Sequence, residues 1–130
     1  MIYQGDCRTV LKTLPVKSVQ CVVTSPPYYC LRDYRVEGQI GLERTPKAFI
    51  AELVSVFAEV HRVLVDDGVL WLNMGDSYAA SGRGGGGGSL QNNALGREMS
   101  EVNGFRMPPP GYKQKDLIGI PWMLAFALRD

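Results

Sequence analysis

The sequence predicts an α/β fold with a mainly parallel sheet, on three observations. The apolar run Val19 to Val23 has almost no polar interruption, which is typical of a strand buried on both faces. A helical pattern from Thr45 to about Val65 is followed by a second apolar run at 69–73. A strand, helix, strand order of this kind predicts a right-handed parallel crossover. With 130 residues and 45% hydrophobic content, the chain has material for one core.

Two short elements are predicted at the start of the chain. Met1 to Gln4 reads as a strand, and Cys7 to Leu14 as a two-turn helix that Pro15 ends. Asp6 precedes this helix, where its carboxylate can cap the first amide groups. With the apolar runs at 19–24 and 69–73, the sheet would contain about three strands.

The central helix has the clearest signals. Thr45-Pro46 places a capping side chain before a proline at the first helical position. Apolar residues then recur at spacings of four, four, three and four: Phe49, Leu53, Phe57, Val60 and Leu64. This stripe should face the sheet, with Glu52 and Glu59 facing water. Asp66-Asp67-Gly68 is the predicted turn into the next strand.

A glycine-rich segment separates the third predicted strand from a last helix at about 117–129. We predict a flexible insertion at about 79–112, centred on the glycines of Ser81 to Ser89. Three of these glycines, Gly82, Gly84 and Gly87, satisfy a Gly-x-Gly-x-x-Gly pattern. A phosphate-binding loop also needs a strand directly before it and a helix directly after it, and the flanking residues predict neither.

Ser25-Pro26-Pro27-Tyr28 follows directly on the strand at 19–24. Ligands of open α/β sheets bind at the carboxyl ends of the strands. Two consecutive prolines fix φ and remove two amide donors, which favours a rigid loop rich in hydrogen-bond acceptors. The alternative is an ordinary surface loop, in which serine and proline are common.

This motif and its surroundings resemble the amino-methylating DNA methyltransferases, which modify the exocyclic nitrogen of cytosine (N4) or adenine (N6). The order of segments is similar to the permuted members of the family, in which the catalytic motif comes first. The residues that carry the resemblance are, in chain order, Gly5-Asp6, Ser25-Pro26-Pro27-Tyr28, Leu31-Arg32-Asp33-Tyr34, Gly68 to Tyr78 and Lys115 to Trp122.

The resemblance implies a partial Rossmann-like methyltransferase sheet and assigns roles to the motif. Ser25 Oγ and the Pro26 carbonyl would accept the two hydrogens of the target amine, with Pro27 completing the rigid loop. Tyr28 would stack on a base flipped from double-stranded DNA. Serine at the first motif position favours cytosine over adenine as the target.

The cofactor implied by the resemblance is S-adenosyl-L-methionine, with Asp6, Asp76 and Thr24 as candidate contacts. Asp6 could act as a helix cap, a cofactor contact or both, and Asp76 could form an Asx turn into Ser77 instead. The family's glycine-rich Phe-x-Gly-x-Gly cofactor loop is not found in the sequence. We therefore expect residues 1–130 to be the N-terminal, catalytic-motif part of one methyltransferase domain, inactive by itself.

Composition argues against autonomous DNA binding, and against disulfide-stabilised, metal-binding, secreted and membrane-spanning proteins. The net charge of +1 gives no basic footprint for nucleic acid. Three cysteines without paired spacing predict free thiols and no metal site, and the sole histidine, His61, suits a helix end. Without a signal sequence or an apolar run of membrane-spanning length, the protein is expected in the cytoplasm.

Other functions stay open at this point. The target could be an adenine amine, or a planar nitrogen in protein or RNA. The chain could also be a non-catalytic DNA-binding or regulatory remnant, which would bind duplex DNA without dependence on the cofactor. Arg32 and Asp33 could orient the motif loop or form a solvated ion pair. The recognised DNA sequence and the oligomeric state cannot be read from these residues.

Overall fold

A computed structural model describes residues 1–79 and 108–130. Its helices and strands, in chain order, are α1 (Cys7–Val10, continued by the 3-10 turn Leu11–Thr13), β1 (Val19–Thr24), α2 (Pro46–Val63), β2 (Leu64–Leu72) and α3 (Ile120–Arg129). The glycine-rich segment Ser81 to Ser89, its glycines Gly82, Gly84 and Gly87, and most of the predicted insertion at 79–112 lie outside the described residues.

Helix α2 begins where its sequence predicts. The Thr45 side chain accepts a hydrogen bond from the Ala48 amide at 3.1 Å, and Pro46 occupies the first turn. The predicted apolar stripe is buried at Phe49, Leu53, Phe57 and Val60. Its last predicted member, Leu64, lies in β2 instead, because the helix ends at Val63 rather than at about Val65. The capping and the burial together confirm the helix and the face that it turns to the core.

The acidic side chains on α2 are less exposed than predicted. Glu52 accepts from Arg8 of α1, and Glu59 from Arg62 of its own helix, both at 2.7 Å. Their side chains keep 34% and 26% of their exposure. The prediction that both face water is wrong, because neighbouring arginines cover them.

The sheet is parallel, as predicted, but β2 begins earlier than predicted. Val19 pairs with Leu64, and after an irregularity Cys21 pairs with Val69. Residues 66–68 therefore lie inside β2 as a bulge, and the predicted turn is wrong. Backbone bonds explain the early start, because the Ser18 amide donates to the Val63 carbonyl at the end of α2.

Two other element boundaries also differ from the prediction. Residues 1–4 are exposed and form no strand with any described residue, so the described sheet has two strands rather than three. Helix α3 starts at Ile120, because Leu117 instead forms an isolated antiparallel bridge with Tyr78. Within residues 1–79 and 108–130, no helix is long and apolar enough to cross a membrane.

The two faces of the sheet differ in burial. Val22 and Leu70 pack against the core formed with α2 and α3. On the opposite face Val23 is 77% exposed and Trp71 is 67% exposed, with Val69 beside them. The prediction that β1 is buried on both faces is therefore wrong for the described part of the chain, whereas the α/β class is confirmed.

Candidate active site

The four motif residues lie together at the carboxyl end of β1. Ser25, Pro26, Pro27 and Tyr28 line a pocket of about 300 Å³. The rest of its wall is formed by three residues that follow the motif: Leu31, Arg32 and Tyr34. This volume is at the lower end of the range for small-molecule sites.

Two hydrogen-bond acceptors in this pocket have no partner among the described residues. Ser25 Oγ and the Pro26 carbonyl bond to none of residues 1–79 or 108–130, and Ser25 is exposed. Pro26 and Pro27 have no amide hydrogen, so the loop cannot satisfy these acceptors itself. The pocket therefore presents acceptors to a ligand that carries donors.

The motif loop is anchored to the core by the next residue, Tyr29. Its ring is 4% exposed and lies 5.4 Å from the ring of Phe49 in α2. Ser77 Oγ donates to the Tyr29 carbonyl at 3.1 Å. Burial raises the pKa of the Tyr29 phenol, so the ring stays neutral. Tyr29 is thus a structural anchor beside the pocket.

A glycine backs the motif from the other side. Gly41 has φ of +107°, and a Cβ there would lie 3.2 Å from the Tyr28 carbonyl oxygen and 3.3 Å from Pro27 Cβ. Its carbonyl accepts from the Cys30 amide at 2.7 Å, and its amide donates to the Glu43 carboxylate. Burial raises the pKa of Glu43. A side chain at position 41 would push on the motif backbone and strain its own.

Tyr28 rests on the chain that leaves β2. Asn73 Nδ2 approaches the Tyr28 hydroxyl at 3.4 Å, and the Asn73 amide donates to the Thr24 carbonyl at 2.9 Å. A Cβ on Gly75 would lie 2.6 Å from Tyr28 Cε2. Thr24 therefore joins the ends of the two strands but does not line the pocket, and its predicted cofactor role stays a prediction.

Asp76 is engaged by the start of α3. Its Oδ1 accepts from the amides of Ser77, Gly119 and Ile120 at 2.8, 3.0 and 2.9 Å. The bond to Ser77 joins adjacent residues, so it is not the Asx turn that the sequence allowed, which needs the amide two residues on. The carboxylate instead caps a helix that begins more than forty residues later. A role of Asp76 in cofactor binding remains a prediction.

Asp6 caps α1, as predicted, and is paired with Arg8. Its carboxylate accepts from the Arg8 amide at 2.8 Å and from the Arg8 guanidinium. These hydrogen bonds lower the pKa of Asp6 to about 2. Arg8 also donates to Glu52 and to the Gly38 carbonyl, which joins α1, α2 and the loop after the motif. Asp6 lies outside the pocket lining, and its cofactor role stays a prediction.

The pocket also contains residues that the sequence did not single out as ligand contacts. Leu31, Arg32 and Tyr34 complete its wall, and the signal for them was the Leu31-Arg32-Asp33-Tyr34 segment itself. Asp33 Oδ1 accepts from the Arg35 amide at 2.7 Å rather than pairing with Arg32. Gly75 was also missed, because its contact with Tyr28 spans almost fifty residues of sequence.

Comparison with known proteins shows the family. A family model described as DNA methylase, N6_N4_Mtase, matches residues 19–122. The chain belongs to this DNA methylase family. The match includes the whole motif loop and both strands, so it confirms the resemblance that the sequence carries.

Several relatives of this methylase chain are type II methyltransferases. It is 53% identical to M.XycI of Xanthomonas campestris pv. cyanopsidis, 49% to M.SmaI of Serratia marcescens and 47% to M.Cfr9I of Citrobacter freundii. Each match covers 99% of this chain but only 41% or 42% of the relative. The chain thus spans about two fifths of the length of these curated relatives.

A solved structure supports the fold. TTHA0409 from Thermus thermophilus, assigned as a DNA modification methylase and crystallised with S-adenosyl-L-methionine, matches 96% of this chain and 36% of its own. The TM-score is 0.58 at 27% identity. The described helices and strands are therefore a partial Rossmann-like methylase fold.

Proposed function

We propose that the chain supplies the target-base pocket of an S-adenosyl-L-methionine-dependent DNA methyltransferase that modifies the exocyclic amine of a flipped cytosine. One observation carries the proposal: Ser25 Oγ and the Pro26 carbonyl, unbonded among the described residues, are acceptors in a pocket that Tyr28 also lines. An amino group has two hydrogens to donate, and a base has an aromatic face for stacking. Family membership supports this assignment.

The chemistry of an exocyclic amine explains these residue types. Its lone pair is delocalised into the ring, which makes it a poor nucleophile. Ser25 Oγ and the Pro26 carbonyl would draw both amino hydrogens toward a tetrahedral arrangement and stabilise the positive charge that develops on nitrogen. The nitrogen would then bond to the methyl carbon while the sulfur–carbon bonding pair leaves on sulfur, and the methylated nitrogen would release one proton to solvent. Tyr28 holds the base in line for this attack.

S-adenosyl-L-methionine would supply the methyl group on a sulfonium. The described residues fit part of this molecule. The Asp6 side chain is 45% exposed, although both of its carboxylate oxygens already accept hydrogen bonds from Arg8. The carboxylate of Asp76 already accepts hydrogen bonds from two amides at the start of α3. We propose that Asp6, the more exposed of the two carboxylates, is the stronger candidate for a contact with the cofactor. Thr24, at the end of β1, is a further candidate.

Product analysis of the full-length protein tests this function. The protein would be incubated with unmethylated duplex DNA and labelled S-adenosyl-L-methionine, and the nucleosides would be separated by chromatography and mass spectrometry. We expect N4-methylcytosine. N6-methyladenine would contradict the choice of base, and label on protein or RNA alone would contradict the choice of substrate.

Matched serine variants tie the activity to the pocket. Ser25→Ala removes the acceptor and should lower kcat about 100-fold, the scale seen when one preorganised polar group is lost. Ser55→Ala is the control, because Ser55 is exposed on α2 and donates to the Glu52 carbonyl. Equal activity of the two variants would contradict the proposed role of Ser25.

A further inference from the structure

Arg32 is a cation at the pocket wall whose guanidinium has no partner in the described part of the chain. That group makes no hydrogen bond or ion pair with residues 1–79 or 108–130, and the side chain is exposed. Arg8 binds Asp6 and Glu52, and Arg62 binds Glu59 and two backbone carbonyls. The guanidinium groups of Arg35 and Arg44 also lack a partner among the described residues, but neither residue lines the pocket. The pocket therefore offers one ligand a free cation as well as the hydrogen-bond acceptors of the motif.

The backbone that carries Arg32 is held in place. One side chain, Gln39, donates to the Arg32 carbonyl at 2.9 Å and accepts from the Tyr34 amide at 2.6 Å. Asp33 accepts from the next amide, that of Arg35. The loop backbone therefore has its own hydrogen bonds that do not use the guanidinium, which stays available to a ligand.

The chemistry of the pocket indicates which part of a nucleotide the guanidinium of Arg32 would contact. The motif side offers acceptors and an aromatic ring, which suit an amine-bearing base. A guanidinium presents a planar fork of donors that matches a phosphate, and phosphates receive most protein–DNA hydrogen bonds. Arg32 lines the pocket and is exposed to solvent, so it can reach the sugar–phosphate chain of an inserted base.

We propose that Arg32 binds a backbone phosphate of the nucleotide whose base occupies the pocket. This inference rests on the proposed function and adds a contact to it. The contact fixes how far the nucleotide enters, and it carries no sequence information. Arg32 is therefore a substrate-binding residue whose loss weakens DNA binding more than the chemical step.

The test compares Arg32→Gln with Arg35→Gln in the full-length protein. Arg35 is the matched control, because it is an exposed arginine on the same loop that does not line the pocket. Binding to duplex DNA would be measured over a series of salt concentrations. We expect Arg32→Gln to raise Kd about ten-fold and to reduce the slope of log K against log salt by about 1, with a smaller fold-loss of kcat at saturating DNA. Arg35→Gln should cause a smaller change in Kd.

A modified DNA provides a second measurement that does not depend on the folding of a variant. Neutral methylphosphonates would replace the phosphates beside the target base. Binding of the unmodified protein should weaken, whereas Arg32→Gln should bind both DNAs equally. An unchanged Kd and salt slope in Arg32→Gln would overturn the inference, as would a loss of kcat alone. If the protein binds DNA but transfers no methyl group, the proposed function fails while the salt slope still decides the phosphate contact.

Discussion

Because Gly75 has no side chain, the ring of Tyr28 can occupy the space beside it. A Cβ at position 75 would lie 2.6 Å from Cε2 and 3.0 Å from Cδ2 of the ring, closer than carbon atoms approach in proteins. The end of β2 thus sets the position of a side chain on the β1 loop. The proposed stacking residue depends on a glycine that touches no substrate.

Gly75→Ala should therefore displace Tyr28 and lower activity. We expect kcat to fall about ten-fold to 100-fold, since small misplacements of a positioned group have effects of this size. In a Tyr28→Ala background the ring is gone, so adding Gly75→Ala should change kcat little further. Steady-state kinetics of the two single variants and the double variant measure this coupling. Additive losses would show that Gly75 acts independently of the ring.

Asp76→Ala should destabilise the fold through the start of α3. The variant leaves the Gly119 and Ile120 amides without their carboxylate acceptor, which costs about 1–2 kcal/mol for a helix cap. Asp116→Ala is the control, because Asp116 accepts one amide bond, from Lys113, in an exposed turn. Urea denaturation compares the two, and an equal loss would contradict the capping role.

The Asp6–Arg8 pair predicts a pH dependence at acid pH. Because Arg8 lowers the pKa of Asp6 to about 2, the folded chain holds this proton less tightly than the unfolded chain. Its contribution to stability is fully present above the ordinary carboxyl pKa of about 4 and is lost as the pH falls toward 2.

Carbonyl-carbon NMR titration of Asp6 measures this shift. In Arg8→Gln the pKa of Asp6 should rise but stay below its ordinary value, because the backbone amide of residue 8 still donates to it. Arg62→Gln should leave the pKa of Asp6 unchanged, since Arg62 pairs with Glu59. The same Asp6 pKa in Arg8→Gln as in the unmodified chain would contradict the assigned cause.

The two faces of β2 should respond differently to substitution in the 130-residue chain. Leu70→Ala removes a side chain packed against the core and should cost about 2 kcal/mol or more. Trp71→Gln, on the outer face, should change stability by less than about 0.5 kcal/mol, because Trp71 is 67% exposed. Chemical denaturation provides both values. A comparable loss for Trp71→Gln would show that this face is covered.

Local signals predicted the starts of α1 and α2 and the motif. Thr45-Pro46 marked the start of α2, its apolar stripe marked the buried face, and Asp6 marked the cap of α1. Each of these signals depends on neighbours within a few residues, which a sequence displays directly. The pocket residues Ser25 to Tyr28 were also found, because the motif follows its strand without a gap.

Long-range contacts account for what was missed. Asp66-Asp67-Gly68 reads as a turn, yet it is a bulge inside β2, because the chain before β1 pairs with the end of α2. The cap between Asp76 and α3 and the contact between Gly75 and Tyr28 each join segments more than forty residues apart. No local pattern encodes these partners.

Photochemical crosslinking tests most directly whether the motif pocket receives the target base. A duplex would carry 5-iodocytosine at the target position identified by product analysis, and irradiation of its complex with the full-length protein would be followed by mass spectrometry of the peptides. We expect a crosslink at Tyr28. A crosslink confined to residues outside the pocket, with none at Tyr28, would contradict the claim that this chain holds the base for methylation.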